Sequence, residues 1–147
     1  MGSVTGTTPR LKGGCLCGAV RYEATADPIM TGFCYCHSCQ KLSGSGHAFH
    51  AALPEPALRV MGETRGYAWK ANSGSAVTTS FCPKCGSPVF GKSSGMPGMV
   101  TIRVASLDDP SAIAPQMAVF TSRLRRWDHL DPALPAFPEM PPMPGRD

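Results

Sequence analysis

Seven cysteines lie in three tight groups along the 147 residues: Cys15-Leu16-Cys17, Cys34-Tyr35-Cys36-His37-Ser38-Cys39, and Cys82-Pro83-Lys84-Cys85. A closed structural zinc site takes four ligands, whereas a catalytic one keeps three and leaves a position open. Four plus three accounts for all seven, which points to one site that holds the fold and one that does chemistry. The residue after each group divides them. Gly18 follows Cys17 and Gly86 follows Cys85, while Gln40 follows Cys39. In a zinc knuckle the chain turns sharply after the second thiolate so that backbone N–H groups point back at sulfur, and glycine tolerates that turn. Cys15, Cys17, Cys82 and Cys85 are therefore assigned to structural zinc, which closes a long loop as a disulfide would in a secreted protein.

Cys34, Cys36 and Cys39 remain. A C-x-C-x-x-C run wraps one metal with three thiolates and offers no fourth cysteine. His37 lies inside the run, but adjacent residues seldom bind one ion together, so it reads as a hydrogen-bonding or surface residue. The open fourth position would take water or a substrate thiol, which zinc converts to a thiolate at neutral pH. Two other readings of the cysteines stay open. Some would be buried free thiols, which are common in cores. Alternatively, Cys36 and Cys39 form a redox pair with Cys34 as an extra thiol.

The rest of the chain must position these groups. Hydrophobic residues make up 42% and charged residues 16%, which fits a globular protein of one domain and excludes a disordered one. The net charge of +4 is modest, and the only basic cluster, Arg123-Leu124-Arg125-Arg126, reads as a solvated turn rather than a nucleic-acid stripe. Residues 1–6 show no apolar core or cleavage site, and Gly6 stands where a myristoylation signal needs Ser or Thr. No apolar run approaches the roughly 20 residues of a membrane helix. The expectation is a cytoplasmic protein with reduced cysteines and no membrane or nucleic-acid partner, in which an odd cysteine count favours metal over disulfides.

Strand signals dominate. Val20, Tyr22 and Ala24 alternate with Arg21, Glu23 and Thr25, and residues 58–60 and 100–104 repeat the period of two. Residues 76–81 and 88–90 flank the last cysteine pair like the arms of a hairpin. Sixteen glycines and fifteen prolines argue against long helices; a helical turn is expected over 36–42 and another after Asp108-Asp109-Pro110. Residues 1–12 read as a flexible N-terminus and 13–130 as the zinc domain. Residues 131–147, rich in proline, read as an extended tail that cannot join a sheet, its first half pinned through Trp127, Leu130, Leu134 and Phe137.

Gly14-Cys15-Leu16-Cys17-Gly18-Ala19-Val20-Arg21-Tyr22, Cys34-Tyr35-Cys36-His37-Ser38-Cys39-Gln40-Lys41 and Phe81-Cys82-Pro83-Lys84-Cys85-Gly86-Ser87 together resemble the glutathione-dependent formaldehyde-activating family, whose domain is shared with centromere protein V. The resemblance spans Gly13 to about Pro138. It implies a mainly β fold, a β-tent of short coiled antiparallel sheets stapled by a four-cysteine zinc site, with a second, labile and catalytic zinc on Cys34, Cys36 and Cys39. It also implies condensation of formaldehyde with glutathione to S-(hydroxymethyl)glutathione, formally a carbon–sulfur lyase in reverse. That reaction needs a thiolate, an electrophilic carbonyl and a Lewis acid. Three thiolates leave a zinc site at net minus one, so an incoming fourth needs positive neighbours; His37 and Lys41 are the local candidates. Arg65, Tyr67, Trp69 and Lys70 either line a peptide-thiol pocket or form an exposed strand edge. Two readings compete with the enzyme: a zinc-stabilised binding module, and a thiol redox enzyme like the methionine sulfoxide reductases of the same fold.

Overall fold

A computed structural model describes residues 8–141. It is mainly β, as expected, and the described chain falls into two compact units. The first holds residues 8–30 and 51–113, the second residues 31–50 and 114–141.

In the first unit, β1 (Leu11–Gly14), β2 (Arg21–Ala24) and β5 (Leu58–Met61) form an antiparallel three-stranded sheet in the order β1-β2-β5. The alternation read from the sequence is the cause: Val20, Tyr22 and Ala24 are fully buried, while the residues between them turn outward. Tyr22 lies across Gly13, its register partner. A Cβ at Gly13 would come within 2.5 Å of the Tyr22 hydroxyl, so the strand carries glycine where the ring passes. That hydroxyl shares a 2.7 Å hydrogen bond with Ser106 Oγ.

The same unit holds β6 (Arg65–Lys70), β7 (Ala76–Phe81), β8 (Pro88–Ser93) and β9 (Met99–Arg103), each antiparallel to the next. Val89, Val100 and Ile102 are buried on these strands, and Val104 directly after them. The expected hairpin at residues 76–81 and 88–90 is present, with Pro88 at a strand start, where its missing N–H is tolerated. A register shift at Ser80/Phe81 bends β7 next to the cysteine turn.

In the second unit, β3 (Met30–Cys34) lies between β10 (Ala118–Val119) and β4 (Ala48–Pro54). Strand β4 passes from this unit into the first after His50. The β10–β3 pair is parallel, Ala118 opposite Phe33 and Val119 opposite Cys34, unlike the antiparallel pairs of the first unit. The helical turn expected over 36–42 is α1 (His37–Ser43), capped by Cys36 at one end and Gly44 at the other.

The sequence reading of the ends needs correction. β1 takes in Leu11 and Lys12, inside the segment read as flexible, while residues 1–7 lie outside the described residues. The proline-rich segment does pair. Ala136 bridges Ala118 in parallel, because prolines lack only the donor: the carbonyls of Pro135 and Pro138 accept from Ala118 and Ser122, and the Phe137 N–H donates to Ala118. Trp127 is 69% exposed, with one edge of its ring over Gly46. Residues 142–147 lie outside the described residues. Among the described residues no helix is long and apolar enough to cross a membrane.

Candidate metal centres

The four sulfurs of Cys15, Cys17, Cys82 and Cys85 lie within 4.8 Å of one another in the first unit. Cys15 follows β1 directly, and Cys82 follows β7. Both knuckles turn as glycine permits, with Gly18 at φ +83 and Gly86 at φ +78. The turns close through Gly18 N–H to the Cys15 carbonyl and Gly86 N–H to the Cys82 carbonyl. Backbone donors then point at sulfur: Val20 to Cys15 Sγ at 3.2 Å, Lys84 and Cys85 to Cys82 Sγ at 3.3 and 3.5 Å.

The donor set fits zinc. Sulfurs at about 2.3 Å from a tetrahedral ion stand about 3.8 Å apart. The Cys15–Cys17 and Cys17–Cys82 separations are both 3.7 Å. Ser87, quoted in the sequence only as part of a motif, ties the knuckles together. Its hydroxyl accepts from Leu16 N–H at 3.1 Å and lies 3.2 Å from Cys85 Sγ. Those Ser87 contacts, side chain first and then backbone, draw the Cys85 thiol down to about 5. The Ala19 N–H favours the thiolate of Cys17, yet burial and the three neighbouring thiols push it up to about 11. Without an ion, protons are shared unequally among the sulfurs; a divalent ion would replace them.

Cys34, Cys36 and Cys39 also lie within 4.8 Å of one another, in the second unit. Cys34 ends β3, where pairing with β10 fixes it, and the Tyr35 N–H holds the next peptide to the Val119 carbonyl at 3.1 Å. Cys36 is extended (φ −65, ψ 160), and its Sγ accepts from the Cys39 N–H at 3.4 Å as the helix cap. Cys39 returns one turn later on α1. The C-x-C-x-x-C spacing therefore means strand end, cap and first helical turn. Hydrogen bonds from Cys34 and Cys39 draw the Cys36 thiol far down. The same contacts work against the partners: Cys36 pushes Cys34 up to about 12, and Cys39 goes up as well. The three sulfurs thus compete for protons, and together they offer a donor set that could hold a metal ion.

His37 and Lys41 are on α1, both exposed. Arg125 donates to His37 Nε2 at 3.0 Å and to Gln40 Oε1 at 2.8 Å. Gln40 in turn donates to the carbonyls of Tyr35 and Arg123 at 2.7 and 3.0 Å. The basic cluster is thus partly engaged, since Arg123 also pairs with Glu139. Arg65, Tyr67, Trp69 and Lys70 lie on β6, the outer strand of its sheet, in the other unit from the trio. Tyr67 is 62% exposed and stacks on Trp69 with ring centroids 6.0 Å apart, as an exposed edge would.

Sequence reasoning missed two histidines. His50 Nε2 lies 3.4 Å from Cys39 Sγ. His47 Nδ1 stands 3.7 Å from Asp128 Oδ2, its ring against those of Phe33 and Tyr35. Both follow the turn with Gly44 and Gly46 after α1, and the placement of β4 beside β3 brings His50 to Cys39.

Comparison with known proteins bears on the whole arrangement. The chain is similar to a Rhodobacter sphaeroides protein of known crystal structure, at 23% identity with a TM-score of 0.55. The match covers 71% of this chain and 92% of that one, and it supports the fold. No curated protein matches the sequence. The family described as glutathione-dependent formaldehyde-activating enzyme matches residues 10–123, which contain all seven cysteines. The chain belongs to the glutathione-dependent formaldehyde-activating enzyme family.

Proposed function

We propose that this protein is a zinc-dependent carbon–sulfur lyase-type enzyme that joins glutathione to formaldehyde or a similar aldehyde at the Cys34, Cys36 and Cys39 cluster. The observation that carries the reading is the difference in completeness. Four sulfurs close one cluster, and three gather in the other, a donor set that leaves a tetrahedral ion one position. A zinc ion bound by the trio would supply a Lewis acid and favour the thiolate form of an entering thiol. In the reaction the glutathione S–H breaks, its sulfur bonds to the aldehyde carbon, and the proton ends on the former carbonyl oxygen, so nothing is oxidised or reduced.

The chain's own residues hold and orient. β3 and the cap of α1 hold the sulfurs. Arg125, bonded to Gln40 and His37 of α1, offers a cation beside that helix to the carboxylates of the peptide, with Lys41 on the helix itself. Cys15, Cys17, Cys82 and Cys85 hold a structural zinc. Free thiol chemistry fits a reducing compartment, and on that ground we place the protein in the cytoplasm.

Isothermal titration with glutathione and S-methylglutathione at two pH values tests the reading. Glutathione is expected to bind more tightly at the higher pH, because protons compete for the sulfurs at low pH, and the methylated compound is expected to bind weakly. Equal affinity for both would remove the thiol-at-metal mechanism and favour a binding module. Reversible Cys36–Cys39 oxidation with only one zinc bound would favour the redox enzyme.

A further inference from the structure

His50 stands on β4, eleven residues beyond Cys39 in sequence, with Nε2 3.4 Å from the Cys39 Sγ. We propose that His50 is a positioning residue for the metal bound by the trio: its Nε2–H donates to the Cys39 thiolate, fixes that sulfur toward the other two and takes up part of its charge. The inference rests on the trio holding a metal, and it adds a residue outside the cysteine motif to that site.

The chemistry selects the direction of this hydrogen bond. A thiol and an imidazole at this distance have two arrangements, S–H to nitrogen or N–H to sulfur. A sulfur that ligates a metal has lost its proton, so only the second survives, and the imidazole must carry its proton on Nε2. The other sulfurs are served differently. Cys36 accepts the Cys39 backbone N–H, whereas Cys39, on α1, meets a side chain from strand β4. His50 is no fourth ligand in this arrangement, because among the described residues the donor atoms that lie mutually within 4.8 Å are the three sulfurs alone. The fourth position stays available to a thiol. Three thiolates around a divalent ion carry net minus one, and an entering thiolate makes it minus two, so a donor fixed on one sulfur offsets charge where it accumulates.

The test uses the full chain with zinc in the four-cysteine site and cobalt(II) added to the trio, for wild type, His50→Ala and His50→Gln. A hydrogen bond lowers the energy of the sulfur lone pairs, so in His50→Ala the sulfur-to-cobalt charge-transfer band is expected to move to longer wavelength. Cobalt affinity at the trio should fall about tenfold, the lower end for partners of metal ligands. Glutamine supplies an N–H donor, and His50→Gln should restore both readouts towards wild type. An unshifted band with unchanged affinity in His50→Ala would overturn the inference, as would a shift that glutamine leaves wholly uncorrected, which would assign His50 to packing. Glutathione is added last. If it leaves the wild-type cobalt bands unaltered, the thiol-at-metal reading fails, while the band shift still decides the role of His50. Failure of the trio to take up cobalt would remove both.

Discussion

The two cysteine clusters differ in how far along the chain their ligands are drawn. Cys17 and Cys82 meet at 3.7 Å across 65 positions, whereas Cys34, Cys36 and Cys39 span six consecutive residues. Tying distant segments removes far more freedom from the unfolded chain than tying neighbours does. A cluster built from two knuckles of separate strands can hold a fold together. One built from a strand end and a helix cap leaves the rest of the chain nearly as free as before. Among the described residues the larger buried aliphatics follow the same division with one exception: Val20, Leu53, Val89, Val100, Ile102, Val104 and Leu107 belong to the first unit, while the second buries Val119 with Thr31, Tyr35, Gly46, Ala48 and Ala118.

The largest effect is expected where the long-range cluster is broken. Cys85→Ser should leave no cooperatively folded protein, because structural zinc contributes on the order of 10 kcal/mol in small sites, more than many domains hold in reserve. Serine at this position keeps the size and loses the soft anionic ligand. Thermal unfolding followed by circular dichroism checks it. Cooperative melting of Cys85→Ser at the wild-type temperature would show that the knuckles are not what closes the first unit.

A second, smaller effect tests whether the first unit also depends on its buried tyrosine. Burial pushes the Tyr22 phenol up to about 12 from an ordinary 10.0. A raised pKa means that the folded protein binds the proton more tightly than the unfolded chain. The stabilisation is therefore complete below pH 10 and is lost as the pH climbs through 12. Two pH units correspond to about 3 kcal/mol. Tyr22→Phe should give up about 1 kcal/mol at neutral pH, with the Ser106 hydrogen bond, and should flatten the alkaline slope. Urea denaturation between pH 9 and 11.5 measures the slope, and equal slopes for the two proteins would place Tyr22 outside the linkage.

Legibility in the sequence followed the same division between near and far. The alternation at Val20, Tyr22 and Ala24, the hairpin around Cys82 and Cys85, and the turn at α1 were readable, because each depends on periodicity or on neighbouring residues. The partition of the cysteines was readable from the glycines that follow them, and Gly18 and Gly86 do take the left-handed conformation. Strands β1, β3, β4 and β10 left little local trace. β1 is Leu-Lys-Gly-Gly, a poor strand former that pairs because β2 is beside it. Ala136 reaches Ala118 through carbonyls that proline retains, which a rule about missing donors overlooks. His50 was invisible for a related reason: its role depends on β4 doubling back beside β3, and no spacing rule connects it to Cys39.

The smallest effect on stability is expected at the local cluster, and it sharpens the comparison most. Cys36 caps α1 through its sulfur, and serine is among the preferred residues at a helix N-cap. Cys36→Ser therefore keeps the cap while removing the sulfur that sits in hydrogen-bond contact with Cys34 and Cys39. The variant should melt within about 1 kcal/mol of wild type, as substitutions away from cavities and buried charges usually do. It should bind one equivalent of zinc fewer and be inactive, because two sulfurs do not complete a three-thiolate site. Metal analysis of the purified variant beside its melting curve gives both readouts at once. Unfolding of Cys36→Ser alongside a stable Cys17→Ser would reverse the assignment, making the six-residue run the staple and the distant knuckles the working site.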